Sequence, residues 1–223
     1  MNSALILTVA GIHLLAVMSP GPDFALVASR ALGRGRSSAI LVALGIALGV
    51  IVHVAFGIAG LSVLLTQSAF AYACVKYIGA AYLIWVGWQC LKAKPASTYE
   101  LQRVVHYDDD DPPAQKHTTM SSHSLLGAAR EVGIGFLTNA LNAKAAIYFL
   151  ALFSQVVVGQ TTAWLSGLGL LLVVITFAWF ALLGYMLSAD SVRSRFMRVR
   201  HWFERACGAF LIALGVRVAT SDR

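Results

Sequence analysis

Long apolar segments separated by short polar ones dominate the chain. Residues 39–65 and 163–187 contain no Asp, Glu, Lys or Arg, and each exceeds the roughly 20 apolar residues that a membrane-spanning helix needs. In the first of them, Gly45 and Gly49 form a pattern typical of close helix packing in membranes. We therefore predict an all-α membrane protein with six transmembrane helices, at residues 4–30, 39–65, 69–91, 126–158, 163–187 and 203–220.

The first predicted span is interrupted near its middle by Ser19, Pro20, Gly21, Pro22 and Asp23. Proline inside a helix removes a hydrogen bond and clashes with the preceding turn, so we predict a break. A second half-helix should begin at Ser19, because serine favours the N-cap position. The unpaired N–H groups at such a start bind anions. Irregular backbone at membrane depth is tolerated where it lines a cavity, so the break predicts a polar cavity near the midplane.

The fourth predicted span has a similar interruption, formed by Asn139, Asn142 and Lys144. Asn142 is suited to cap a second half-helix. Lys144 in the first turn of that helix opposes its dipole unless an anion lies nearby; Asp23 and a substrate carboxylate are the two candidates. Ionisable groups at this depth are functional candidates by default. The simpler alternatives are a carboxylate that only stabilises its helix and a lysine that reaches the membrane surface.

Asp23 is a candidate for carrying a proton. The start of a half-helix favours its charged form, whereas burial favours its neutral form, and these opposed effects suit proton exchange. His13 and His53 also lie in apolar helices. They are candidates for the same proton pathway or, more simply, hydrogen-bonded packing residues.

Residues 95–124 differ from the rest of the chain, with an Asp run at 108–111, two adjacent prolines and many Ser and Thr residues. Such a composition is typical of a disordered linker; a metal site at the Asp run is a less favoured alternative. The linker separates residues 1–94 from 125–223, with three predicted spans in each part. An odd number of spans inverts the second part relative to the first, which predicts a 3+3 inverted repeat with broken helices 1 and 4.

Charge and cysteine content narrow the function classes. Charged residues make up 12% of the chain and hydrophobic residues 58%, against about a quarter charged in soluble domains. The basic residues concentrate in three of the five connections, which places the linker in the cytoplasm and both termini outside it. The net charge of +7 is therefore attributed to orientation and lipid contact, not to nucleic acid. Cys74, Cys90 and Cys207 lack the spacing of a metal or redox site, so we expect no metal and no cofactor.

Two segments resemble a known family. HLLAVMSPGPDFALVASRALGRGRSSAILVALGIALGV at residues 13–50 and GFLTNALNAKAAIYF at 135–149 are similar to the LysE/RhtB family of amino-acid exporters, particularly its threonine-exporting members. The first family motif, S-P-G-P-D, is intact, whereas the second is usually Asn-Pro-Lys and here has Ala143 in place of the proline. The resemblance implies a bacterial inner-membrane exporter of threonine, homoserine or a related amino acid, driven by the proton-motive force.

The residues themselves also favour a secondary transporter. A zwitterion needs an anion site, which a half-helix start with Lys144 can supply, and a cation site, which Asp23 can supply. A passive channel and a membrane-embedded enzyme are the alternatives. The chain has no H-E-x-x-H, G-x-S-x-G or C-x-x-C motif, so we predict no enzymatic activity. The expected partners are the amino acid, protons and the lipid bilayer, with a homo-oligomer as an open alternative.

Overall fold

The computed structural model describes residues 3–93 and 125–220, and within these ranges the regular structure is helical, with no strand. The predicted linker, including its Asp run, lies outside the described residues. The helices are α1 (Ser3–Met18), α2 (Pro22–Gly33), α3 (Arg36–Gln67), α4 (Ala69–Leu91), α5 (Leu125–Ala140), α6 (Ala143–Val156), α7 (Thr162–Leu187) and α8 (Asp190–Thr220).

Two single helices are long and apolar enough to cross a membrane, over Arg36–Gly60 in α3 and Thr162–Leu187 in α7. The pairs α1–α2 and α5–α6 meet the same requirement together and are bent by 60° and 58° at their breaks. If each bent pair is one span, the described residues contain up to four candidate spans. The structure thus confirms an all-helical membrane protein with two broken helices, but it does not confirm the predicted six-span arrangement.

The arginine-rich segment before the predicted sixth span is helical. We predicted a loop there and a helix from residue 203, whereas α8 begins at Asp190 and is 31 residues long. Only residues 188–189 separate it from α7. The physical reason is that this segment contains neither proline nor glycine before Gly208, and arginine is a good helix former.

Glycines bring two pairs of helices into backbone contact. In the α3–α5 pair, a Cβ added at Gly45 would lie 2.0 Å from the carbonyl oxygen of Val132. In the α4–α8 pair, a Cβ at Gly87 would lie 2.6 Å from the carbonyl oxygen of Gly208, and one at Gly208 would lie 2.5 Å from that of Gly87. Close helix packing at Gly45 is therefore confirmed. Small residues allow such approach, which strengthens dispersion contacts where lipid offers no hydrophobic driving force.

Two clusters of buried apolar side chains make up the core around the broken helices. The larger joins α1, α3, α4, α6, α7 and α8 and contains Phe149 and Leu172. The smaller joins α2 to the first turns of α3 and the last turns of α7, and contains Phe24, Ile46 and Phe180. Because α3 and α7 contribute to both clusters, they act as the continuous frame against which the broken helices pack.

An ion-pair cluster ties the end of α2 to the beginning of α5. Arg30 Nε donates to Glu131 Oε2 at 2.8 Å, and Arg34 Nη1 donates to the other carboxylate oxygen. The Glu131 side chain is only 7% exposed, and both of its oxygens are satisfied by charge-assisted bonds. For the basic residues of the predicted connections, membrane orientation and lipid contact were the only roles that the sequence indicated. Loss of both arginines would leave Glu131 as an uncompensated buried charge, which typically costs about 3–5 kcal/mol.

The α3–α5 contact generates a matched pair of substitutions on α5. A Cβ at Gly135 would lie 2.2 Å from the carbonyl oxygen of Val42, whereas one at Gly133 meets no atom within 4 Å. We expect Gly135→Ala to lower the free energy of unfolding by about 1–3 kcal/mol or more. Gly133→Ala should be neutral or stabilising, because alanine is the better helix former. Thermal unfolding of the purified variants in detergent measures both, and equal stability of the two would contradict the close α3–α5 packing.

Candidate functional site

The first break lies where sequence predicted it, but its second half-helix starts later. α1 ends at Met18 and α2 begins at Pro22. Ser19 is therefore not the N-cap residue; Gly21 is, in an extended conformation (φ −176°, ψ −170°), and no side chain caps the helix. The cause is the pair of prolines, because a residue that precedes proline avoids helical dihedral angles. The helix can begin only at Pro22, at the first helical position, which suits proline.

The second break is closed by its own asparagine. Asn142 is the N-cap residue of α6, and its Oδ1 accepts a hydrogen bond from the backbone N–H of Lys144 at 3.0 Å, which confirms the predicted cap. Ala143 occupies the first helical position, where the family motif has proline. The bend here is 58°, against 60° at the proline-containing break, so the second break does not require a proline.

Lys144 crosses from the second break to the first. Its Nζ donates to the carbonyl oxygens of Ser19 at 2.9 Å and Pro20 at 3.0 Å, and also to the Ser19 hydroxyl. These oxygens lie just beyond the end of α1, where a cation is favourable. The three donors of the ammonium group are thus matched by three uncharged oxygens. Among the described residues, no carboxylate lies within ion-pair distance of Lys144, so Asp23 is not its direct partner here.

Asp23 makes the opposite crossing, from the first break to the second. Its Oδ2 accepts hydrogen bonds from Asn139 Nδ2 at 2.9 Å and Asn142 Nδ2 at 3.0 Å. Its Oδ1 is buried and has no hydrogen-bond partner in the described part of the chain. A carboxylate oxygen accepts more than one hydrogen bond, so Asp23 retains acceptor capacity for a donor that enters from outside the protein.

A cavity lies between the breaks. Six of the eight predicted site residues line it, whereas Pro20 and Pro22 shape the first break without lining the cavity. The remaining wall is largely apolar and comes from both clusters. The lining from the breaks is Ser19, Gly21, Asp23, Asn139, Asn142 and Lys144, and the rest of the wall includes Val50, Tyr82, Leu83, Val86, Tyr148, Phe149, Thr176, Phe180 and Leu211.

Gly49 and His53 on α3 hold Asn139 in place. A Cβ at Gly49 would lie 2.9 Å from Asn139 Oδ1, so only glycine leaves room for this amide. His53 Nε2 lies 2.8 Å from the Asn139 backbone carbonyl, and its ring stacks on Phe149 with centroids 5.7 Å apart. Asn139 can therefore present its Nδ2 to Asp23 without rearrangement.

His13 is fully buried behind the cavity. Its Nδ1 lies 3.2 Å from the Tyr148 hydroxyl, and its Nε2 lies 2.8 Å from Thr176 Oγ1 and 3.1 Å from the carbonyl oxygen of Leu172. Sequence reasoning selected neither Tyr148 nor Thr176. The one available signal was a polar group within an otherwise apolar span, and that signal does not say which face of the helix the group occupies.

Comparison with known proteins gives a consistent result over nearly the whole chain. The LysE type translocator family matches residues 14–222. The threonine efflux protein of Escherichia coli (strain K12) is 33% identical over 220 residues, covering 97% of this chain and 98% of that protein. The threonine efflux protein of Salmonella typhi is 31% identical over 221 residues, with coverage of 97% and 98%. The uncharacterized membrane protein YahN of E. coli is 25% identical over 218 residues, covering 96% and 88%. No solved structure matches the chain.

The second break allows a direct test of its cap geometry. We expect Ala143→Pro to be tolerated, because the first helical position needs no N–H donor and suits proline. The matched control is Ala146→Pro, which removes the bond from the Ala146 N–H to the Asn142 carbonyl at 3.0 Å and should cost about 3 kcal/mol or more. Thermal unfolding in detergent compares the two. If Ala143→Pro is as destabilising as Ala146→Pro, α6 does not begin at Ala143.

Proposed function

Because this chain belongs to the LysE family of translocators, whose members are transporters and not enzymes, we propose that it exports a small amino acid of the threonine or homoserine type. Export would occur across the bacterial inner membrane, in exchange for protons. The substrate class is supported by two threonine efflux proteins that are 33% and 31% identical to the chain. The observation that carries the proposal is the cavity between the breaks, where an unsatisfied carboxylate oxygen lies beside an uncapped helix start.

A zwitterion fits the polar groups of this cavity. The substrate ammonium group donates to Asp23 Oδ1, the oxygen without a partner among the described residues. The substrate carboxylate binds at the start of α2, where no side chain caps the helix and the dipole favours an anion. Lys144 lies over this start, with its Nζ 3.3 Å from the Cβ position of Gly21. It can exchange one uncharged oxygen for the carboxylate, because the attraction between opposite charges then adds to the hydrogen bond.

Asp23 also supplies the coupling to protons. A proton and a substrate ammonium group both neutralise the same carboxylate, so binding of one disfavours binding of the other. This competition is the requirement for antiport: the proton must leave Asp23 before substrate binds, and it returns after substrate departs. His13 and His53 remain candidates for the path by which the proton reaches Asp23. His53 is the nearer in contacts, because its Nε2 lies 2.8 Å from the backbone carbonyl of Asn139, whose side chain donates to Asp23.

We propose that the site lies on the axis of a 3+3 inverted repeat of residues 1–94 and 125–223, with the linker in the cytoplasm and both termini outside it. In this scheme α1–α2 corresponds to α5–α6, α3 to α7, and α4 to α8, giving six spans. The reciprocal contact of Gly87 with Gly208 fits a two-fold axis between α4 and α8. Alternating access then follows from movement of one repeat against the other, whether the protein is a monomer or a homo-oligomer.

Efflux from proteoliposomes tests the proposal. We expect vesicles preloaded with labelled threonine or homoserine to release it faster when the outside is made more acidic, because inward proton flow drives outward transport. Vesicles without protein, and labelled lysine and glutamate as charged substrates, are the controls. A rate of release that does not depend on the imposed pH gradient would favour a passive channel. No release of any amino acid would exclude amino-acid export.

Asp23→Asn separates proton coupling from substrate exchange. The amide keeps the shape of the side chain and can still accept from Asn139 and Asn142, but it cannot carry a proton. We expect efflux driven by the pH gradient to fall by at least tenfold, while some exchange of labelled for unlabelled substrate persists. Glu131→Gln is a control, because this buried carboxylate faces Arg30 and Arg34 and does not line the cavity. The Glu131→Gln protein that folds should retain proton coupling. Normal pH dependence in Asp23→Asn would show that Asp23 only stabilises its helix.

A further inference from the structure

Two hydroxyl side chains that line the cavity bond to the same buried histidine. Tyr148 lies on α6 and Thr176 on α7, and both line the cavity outside the breaks. Their hydroxyl oxygens lie 3.2 Å and 2.8 Å from the two ring nitrogens of His13 on α1. The proposed binding of the substrate amino and carboxylate groups uses none of these three residues.

The carbonyl oxygen of Leu172 fixes where the protons of this cluster lie. A carbonyl only accepts hydrogen bonds, and Leu172 accepts from the Thr176 hydroxyl at 2.9 Å and from His13 Nε2 at 3.1 Å. The proton of Thr176 is therefore directed at the Leu172 carbonyl, and we assign the proton of the neutral His13 ring to Nε2, which faces the same carbonyl. In the neutral ring Nδ1 has no proton, so the Tyr148 hydroxyl donates to it.

Both hydroxyl protons are thus donated to protein acceptors. The hydrogen-bonding capacity that remains on the Tyr148 and Thr176 oxygens is that of an acceptor. One lone pair of Thr176 Oγ1 already faces the His13 Nε2–H at 2.8 Å. An apolar group placed against the two hydroxyls leaves their remaining lone pairs without water and without a further donor, which is unfavourable. A substrate hydroxyl placed there supplies the donor. The arrangement therefore distinguishes a hydroxyl-bearing side chain from an apolar side chain of the same shape.

We infer that Tyr148 and Thr176 form a subsite that accepts a hydrogen bond from the side-chain hydroxyl of the substrate, with His13 as their positioning residue. This inference rests on the proposed amino-acid export and specifies its substrate class: hydroxyl amino acids are preferred to isosteric apolar ones. A site built to bond a substrate hydroxyl rejects the analogue that lacks it far more strongly than an apolar pocket rejects a change of one methylene.

Threonine and valine provide the test, because they differ only by a hydroxyl in place of a methyl group. Initial rates of efflux are measured for each from proteoliposomes that contain the full chain, and the threonine-to-valine ratio is compared among variants. Thr176→Val removes the hydroxyl while the Leu172 carbonyl remains available to His13 Nε2. Thr176→Ser is the matched control, since it keeps the hydroxyl and loses only a methyl group.

We expect the wild type to prefer threonine by at least tenfold. Thr176→Val should lower the ratio about tenfold, the factor that corresponds to one hydrogen bond, and Thr176→Ser should retain most of it. Tyr148→Phe is a second variant with the same expected direction, in case Thr176→Val yields no folded protein by size-exclusion chromatography. In this way the selectivity, and not the overall activity, reports on the subsite.

Four results would overturn the inference. A wild type that exports valine as fast as threonine contradicts the subsite but leaves amino-acid export intact. An unchanged ratio in the hydroxyl-deletion variants shows that the hydroxyls do not contact substrate. An equal loss in Thr176→Ser and Thr176→Val shows that the methyl group, and not the hydroxyl, sets selectivity. Absence of efflux for every amino acid tested overturns both this inference and the proposed function.

Discussion

The exchange of polar groups between the two broken helices is the interaction on which the site depends. Each break leaves backbone or side-chain groups unsatisfied, and the other break satisfies part of them. Lys144 from the second break binds the carbonyl oxygens of Ser19 and Pro20 in the first, while Asp23 from the first accepts from the amides of Asn139 and Asn142 in the second. Unpaired polar groups are costly in a membrane-embedded chain, so neither break is stable without the other.

The same exchange explains why the cavity lies where it does. The side chains at the breaks fill little space, because they are small or have polar ends that extend to the opposite break. The apolar side chains that could fill the space belong to two separate clusters, and α3 and α7 contribute fully buried residues to both. A polar cavity with apolar walls is the result. Movement of either broken helix requires the hydrogen bonds between the two breaks to exchange.

Sequence predicted the broken helices well because prolines and ionisable groups are rare inside apolar spans and each has a local cause. It predicted the Asn142 cap for the same reason, and the Gly45 packing from spacing alone. It misplaced the start of α2, because the effect of Pro20 and Pro22 on the residues before them outweighs the capping preference of Ser19. The partners of Lys144 and Glu131 depend on helices distant in sequence, and no local pattern specifies them. Tyr148 and Thr176 were missed because their importance comes from a shared contact with His13.

The two half-helix starts differ in their capping, and this difference orients a substrate in the proposed site. At α6 the Asn142 side chain already accepts the N–H that an anion would bind. At α2 the N-cap residue is Gly21, which has no side chain to offer, so this start is the one open to a carboxylate. Lys144 comes from the capped break and lies over the uncapped one. With the carboxylate held at α2 and the ammonium group at Asp23, the side chain of the substrate is the part left to face the wall formed by Tyr148 and Thr176.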